Sequence, residues 1–184
     1  YDASGNPVAI ATGTDGQVLT SAGAGAAPAF EAAPGGELVQ VVHNVYSTYA
    51  SGSTVFPFDN TIPQKTEGDE FYTLAITPTH ADNILYIEVH INCGRLSSTT
   101  ASGVGLFQDT TAGALAVTGF SHSVGNAIFP MSLKHRMVAG TTSATTFKVR
   151  AGDSNSSNFK VNGSNAQYYG GVLSSTITIT EIKV

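Results

Sequence analysis

Residues 84–93 alternate with a period of two. Leu85, Ile87, Val89, Ile91 and Cys93 fall on one side of an extended chain, and Tyr86, Glu88, His90 and Asn92 on the other. A helix would scatter both sets around its circumference, so this segment is stable only as a strand with one buried face. Further strand patterns are expected at residues 38–47, 70–77, 104–109, 114–122, 128–138, 145–151, 167–173 and 175–184. Clusters of Gly, Asn, Ser and Pro separate them, notably residues 94–103, 125–126, 139–143, 152–165 and 170–171. After Glu37 no segment carries a capped 3.6-residue apolar period over three turns. The expected fold is therefore all-β, a jelly-roll-like antiparallel sandwich whose strand order the sequence leaves open.

Charge excludes some functions. Only 11% of residues are charged, against about 25% in an average domain, and the net charge is −5. That balance does not fit a nucleic-acid footprint. The distribution is uneven: up to Cys93 there are ten acidic residues and one basic one, and from Gly94 onward three acidic and seven basic. Such asymmetry helps copies of a chain to dock. Cys93 is the single cysteine, which rules out an internal disulfide and a cysteine metal cage. It is expected to act as a small buried apolar side chain. No run of 18 apolar residues offers a transmembrane helix. Residues 1–30 lack the basic start of a signal peptide. The chain opens on Tyr1 rather than Met, as a fragment or processed product would.

Residues 1–36 differ from the remainder. They contain no Lys or Arg, and their large apolar residues, Val8, Ile10, Val18, Leu19 and Phe30, are too few for a private core. The division expected is an extended shaft or attachment segment, residues 1–36, followed by a β-sandwich knob, residues 37–184. Within the first part, Gly13-Thr14-Asp15-Gly16-Gln17-Val18-Leu19-Thr20-Ser21 is followed by Gly23, Gly25, Pro28 and Phe30. This resembles a linker motif of bacteriophage tail fibre and spike proteins. Asp15-Gly16 is a strong turn signal, and Val18 and Leu19 are expected to point toward an axis shared with other chains.

A second resemblance covers roughly residues 55 to 184. It rests on Asn60 to Gln64, Glu67-Gly68, Leu74 to Thr79, Ile84 to Val89 and Leu106 to Asp109. It continues through Leu133 to Met137, Ala139 to Thr142, Phe147 to Arg150 and the ending Ser175 to Glu181. These are similar to a C-terminal domain recurring in phage fibres. The resemblance implies a homotrimeric sandwich like the jelly rolls of C1q and tumour necrosis factor, located on the virion. It carries over no ligand.

A trimer needs a second surface beyond the core. Candidate interface residues are Val18, Leu19, Tyr86, His90, Met131, His135, Ile177 and Ile179. On residues 128–138, Met131, Leu133, His135 and Met137 share a face. On the last strand Ile177 and Ile179 oppose Thr176, Thr178 and Thr180, and both an assembly site and a plain core strand fit that pattern. His135, on an apolar face, is read as a hydrogen-bonded buried histidine; the alternative is that three copies near a threefold axis bind an ion or titrate near neutrality.

Catalysis is not expected. Asp69, Glu70, Glu88 and Asp109 are the carboxylates from which a glycosidase pair would have to come, and no local context marks any of them. Serines and five histidines are present without a nucleophile-elbow pattern. Residues 153–158 line up oxygen side chains but lack the central Gly and final Glu of a calcium loop. No cofactor or metal is therefore expected. Binding fits better, on loops held by a rigid scaffold. The candidates are Asn155, Asn158, Asn162, Tyr168 and Tyr169 in the longest loop, and His122 in the loop region around residues 120–126. Amides and aromatic faces are the groups that recognise sugars or proteins. The expected partners are further copies of the chain, other virion proteins through residues 1–36, and a host-surface glycan or protein. A fibre on neck or capsid without a receptor is the alternative.

Overall fold

The computed structural model describes residues 4, 9, 12–24, 26–32, 35–95, 100–122, 126–155 and 159–184. They form two units, Tyr1–Glu37 with Val184, and Leu38–Lys183. The first unit holds a hairpin of β1 (Gln17–Thr20) and β2 (Ala29–Ala32), with Leu19 opposite Phe30. A turn at Asp15–Gly16 leads into β1. Gly16 has φ +82°, and Gln17 N donates to Thr14 O at 3.2 Å. Val18, Leu19 and Phe30 remain exposed on this hairpin.

The second unit contains β3 (Leu38–Tyr46), β4 (Ala50–Gly52), β5 (Asp69–Ile76), β6 (Ile84–Arg95), β7 (Thr100–Gln108) and β8 (Ala116–His122). These are followed by β9 (Ala127–Val138), β10 (Thr145–Asp153), β11 (Phe159–Val161) and β12 (Ser175–Ile182). Its eight long strands pair first with last and inward in turn: β3 with β12, β5 with β10, β6 with β9, β7 with β8, all antiparallel. That nesting is a jelly roll. One sheet has the order β9-β6-β12-β3, extended along the same edge of β6 by β11 and β4; the other is β5-β10-β7-β8. The fold is all-β and antiparallel, as the alternation of β6 requires.

The core lies between the sheets. β6 contributes Leu85, Ile87, Val89, Ile91 and Cys93; β12 gives Ile177 and Ile179; β7 and β10 give Val104, Leu106, Phe147, Val149 and Ala151. Tyr72 stacks on Tyr46 at 5.4 Å and donates its hydroxyl to His90 O at 3.0 Å. Burying a side chain such as Leu or Ile stabilises by about 1.5–3 kcal/mol, so this layer dominates the unit.

The outer face of the second sheet is paved with glycine. Gly152, Gly103 and Gly119 lie in one row across β10, β7 and β8. The segment between β4 and β5 crosses this face. Phe56 is buried there, and a Cβ on Gly103 would sit 2.4 Å from its ring.

Residues 167–173, read as a strand, form a left-handed turn instead. Tyr169, Gly170 and Gly171 have φ of +51°, +62° and +90°, which no β ladder accommodates. The extra strand of that region is β11, three residues long.

Candidate functional site

β3 enters the sandwich at Leu38, at the end where Ile182 and Val138 also lie. The opposite end gathers Tyr46, Ser175, Ala127, Ser102 and His122. The connections following β3, β6, β8, β10 and β11 all leave from it. Among the described residues expected to bind a ligand, Asn155, Asn162, Tyr168 and Tyr169 belong to this far end, as does the backbone of His122. Asn158 lies outside the described residues, as does the side chain of His122.

A polar braid fixes the base of this end. Asn162 is fully buried with φ +58°. Its amide donates to Tyr46 O at 2.7 Å and Thr48 O at 3.1 Å, and its Oδ1 accepts from Ser175 Oγ at 2.8 Å. It is thus a structural pin and not a ligand contact, a correction to the sequence reading. An Asn tolerates the left-handed backbone there and meets three groups at once. Ser175 Oγ also accepts from Asn92 N at 3.0 Å, and Asn92 Nδ2 donates to Ser174 O at 2.7 Å. Tyr49 donates to Ser164 O at 3.0 Å, and Ser164 Oγ to Asn126 Oδ1 at 2.8 Å.

Above this base stands the tip. Tyr168 donates to Asn165 Oδ1 at 2.7 Å, which turns its ring toward the exposed Asn165. Tyr169 is 76% exposed and Val172 79%. Asn155 is also exposed. The tip thus presents an aromatic face, an amide and a phenol on a loop whose root is rigid. Those groups recognise hydroxylated or amide-bearing surfaces.

The second surface is the outer face of β3-β12-β6-β9. Its registers form rows: Val41, Thr180, Tyr86, Arg136; then His43, Thr178, Glu88, Lys134; then Val45, Thr176, His90, Ser132. Leu38, Val41, Val45, Tyr86 and Val138 are 43–58% exposed. Arg136 Nε donates to the Tyr86 hydroxyl at 3.1 Å, and its guanidinium lies 5.7 Å from that ring's centroid. Lys134 pairs with Glu88 at 2.5 Å. An open cleft of about 590 Å³ runs beside Tyr86, Arg136, Thr180 and Ile182.

Tyr86 and His90 lie on this outer face. Met131, Ile177 and Ile179, also expected at an interface, are buried inside the single chain. Their strands turn Ile and Met to the core, leaving Thr and Ser outward. His135 shares the side of Met131 and Leu133, and burial holds its imidazole below the ordinary value. It does not belong to the outer face, so an ion or proton site built from three copies of it there does not follow.

The carboxylates considered for catalysis are each engaged by neighbouring groups. Asp69 accepts from Thr54 N and Oγ1 at 2.9 and 2.7 Å. Glu70 faces Arg150 at 3.4 Å and Lys148 at 3.8 Å. Asp109 accepts from Thr145 Oγ1 and Thr146 N, both at 2.7 Å. In the loop read against a calcium site, Asp153 is buried and accepts from Ser102 Oγ at 2.6 Å.

No protein-family model matches the sequence, and no curated protein matches it. Among solved structures, the C-terminal domain of EclA, described as a sugar-binding protein, is 17% identical over 62% of this chain and 73% of that one, with a TM-score of 0.36. Eiger TNF from S. frugiperda is 10% identical over 80% of this chain and 92% of that one, at 0.43. The enzymatically active domain of tailspike protein 4 of bacteriophage CBA120 is 17% identical over 78% of this chain and 19% of that one, at 0.24. With scores below 0.5, these likenesses carry no functional argument for this chain.

Proposed function

We propose that the chain is a fibre or spike component of a bacteriophage particle, a homotrimeric knob that attaches to a host surface. The observation that carries this reading is the polarity of the sandwich. Leu38 enters at one end, and the exposed Tyr169, Val172 and Asn165 stand at the other. The tip therefore stands at the end of the sandwich away from its first residue, Leu38. The resemblance of residues 13–30 to fibre linkers supports the virion location. The apolar and Thr-rich outer face of β3-β12-β6-β9 supports self-association, and three copies would multiply a weak tip site. The engaged carboxylates favour binding over catalysis.

The test applies labelled full-length protein to a panel of bacterial cells. Saturable binding to some cells, lost in Tyr169→Ala, supports the adhesin. Binding to phage particles and to no cells would return the chain to a purely structural fibre. Release of soluble sugar from cell envelopes would make it a depolymerase instead.

A further inference from the structure

We propose that the outer face of the second sheet carries a saccharide-binding groove, in which Phe58 stacks on a pyranose ring while Asp59 and Thr61 accept its hydroxyls. The groove lies on the flank of the sandwich and depends on neither the tip nor trimer formation. Its volume is about 210 Å³, and Phe58, Asp59, Thr61, Val117 and Gly119 line it. Sites for drug-sized ligands begin at roughly 300 Å³, so this one has room for a single sugar ring.

The segment that builds the groove is tied down on both sides of it. Phe56 N donates to Asp153 O at 2.9 Å, and Ala114 N donates to Pro63 O at 2.9 Å. Phe56 is buried over Gly103. Phe58, two residues on, is 63% exposed. The edge of its ring leans on Gly119, where an added Cβ would stand 3.0 Å from Cε2. Val117 shares the outward face of β8 with Gly119 and is itself exposed, which continues the apolar floor.

Asp59 supplies the polar half. Thr61 N and Oγ1 donate to its Oδ1 at 2.8 and 2.6 Å. These bonds hold the carboxyl below its ordinary value, so it is ionised at neutral pH. They also orient it and occupy one oxygen, while Oδ2 accepts from no group among the described residues. A carboxylate only accepts, and a hydroxyl meets it in a charge-assisted bond. The Thr61 hydroxyl gives its proton to Asp59 and keeps lone pairs for a neighbouring donor. Two adjacent acceptors beside an aromatic ring match a pyranose, which has a C–H face and vicinal hydroxyls at its edge. A purely apolar partner would cover the Asp59 charge without answering it. A quaternary ammonium suits an aromatic face, but one exposed ring makes no cage around it.

The experiment is saturation-transfer NMR on the full chain with the methyl glycosides of glucose, galactose, mannose and N-acetylglucosamine, and with choline as the cationic comparison. At least one glycoside should bind, with millimolar affinity. Phe58→Leu keeps an apolar side chain without a ring face, and Asp59→Asn keeps the acceptor for Thr61 without the charge. Each should weaken binding at least fivefold, while Phe58→Tyr should retain it. Both positions are exposed, so melting temperatures should match the wild type. Binding of no glycoside overturns the groove and leaves the tip reading as it was. Glycoside binding that survives both variants puts the sugar elsewhere on the chain and overturns it as well. Binding of choline and of no glycoside overturns the saccharide in favour of a cation.

Discussion

Asn83 Nδ2 donates to Glu181 Oε1 at 2.6 Å, tying the connection between β5 and β6 to the last strand. The same carboxylate accepts from Thr79 N and Oγ1 at 2.8 Å, and from Gln40 Nε2 at 2.5 Å. Glu181 has no exposed surface. Burial is the largest influence on it and disfavours the charge, but the donors from Asn83, Gln40 and Thr79 together outweigh it. They hold the carboxyl at about 2. A group depressed on folding adds stability that is complete above its unfolded value, about 4.3 for Glu, and is lost as pH falls toward 2. Glu181→Ala should cost about 2 kcal/mol by leaving buried donors unmet. Glu181→Gln should flatten the stability profile between pH 5 and 2. Denaturant unfolding across that range measures both.

Gly94 and Gly103 give a contrast between two kinds of crowding. A Cβ on Gly94 would stand 1.6 Å from the Gly163 carbonyl oxygen, and backbone there is held by β11 and the braid around Asn162. A Cβ on Gly103 would meet the Phe56 ring at 2.4 Å, a side chain on a segment outside the strands. Gly94→Ala should therefore be the more damaging. Overpacking typically costs about 1–3 kcal/mol, with Gly94→Ala at or beyond the upper end and Gly103→Ala near the lower. Thermal unfolding of the two variants, side by side, gives the ranking.

How far the sequence foretold this molecule depended on the length of the signal. β6 was legible because ten residues keep one parity, and all five apolar members of that parity are buried. β12 was ambiguous, because Thr and Ile are both β-branched and suit either face. The core claimed the Ile side, so Ile177 and Ile179 never reach an interface. β4 and β11 are too short for any period to show. The left-handed turn at Tyr169 hid inside a strand-like run because its cause, successive positive φ values, has only Gly170-Gly171 as a written sign. Asn162 read as a loop amide because its partners, Tyr46 and Thr48, come from more than 110 residues away. The Glu181 clasp was invisible for the same reason.

Cys93 offers a direct probe of the core. It is fully buried among the inward residues of β6, and burial pushes its thiol well above the ordinary range. A thiol that is neither ionised nor reachable does not attack a reagent. The native protein should not react with Ellman's reagent at pH 8 over an hour. Denatured protein should release one equivalent at once, since the chain has a single cysteine. Rapid native labelling would mean that the sandwich opens locally along β6.

Tyr169 separates stability from function. Its φ of +51° places a bulky residue in the left-handed region, and the residue is 76% exposed, so the fold gains little packing from it. Strain of this kind costs on the order of 1 kcal/mol and persists where something else requires it. Gly170 and Gly171 follow with the same sign of φ, so a glycine at 169 would complete the turn without strain. Tyr169→Gly should leave the melting temperature unchanged or raise it by a few degrees, while abolishing the cell binding expected of the adhesin. A stable variant that binds as well as the wild type would show that the ring is not the recognition element. The contact would then fall to Tyr168 and Asn165, whose hydrogen bond at 2.7 Å does not depend on it.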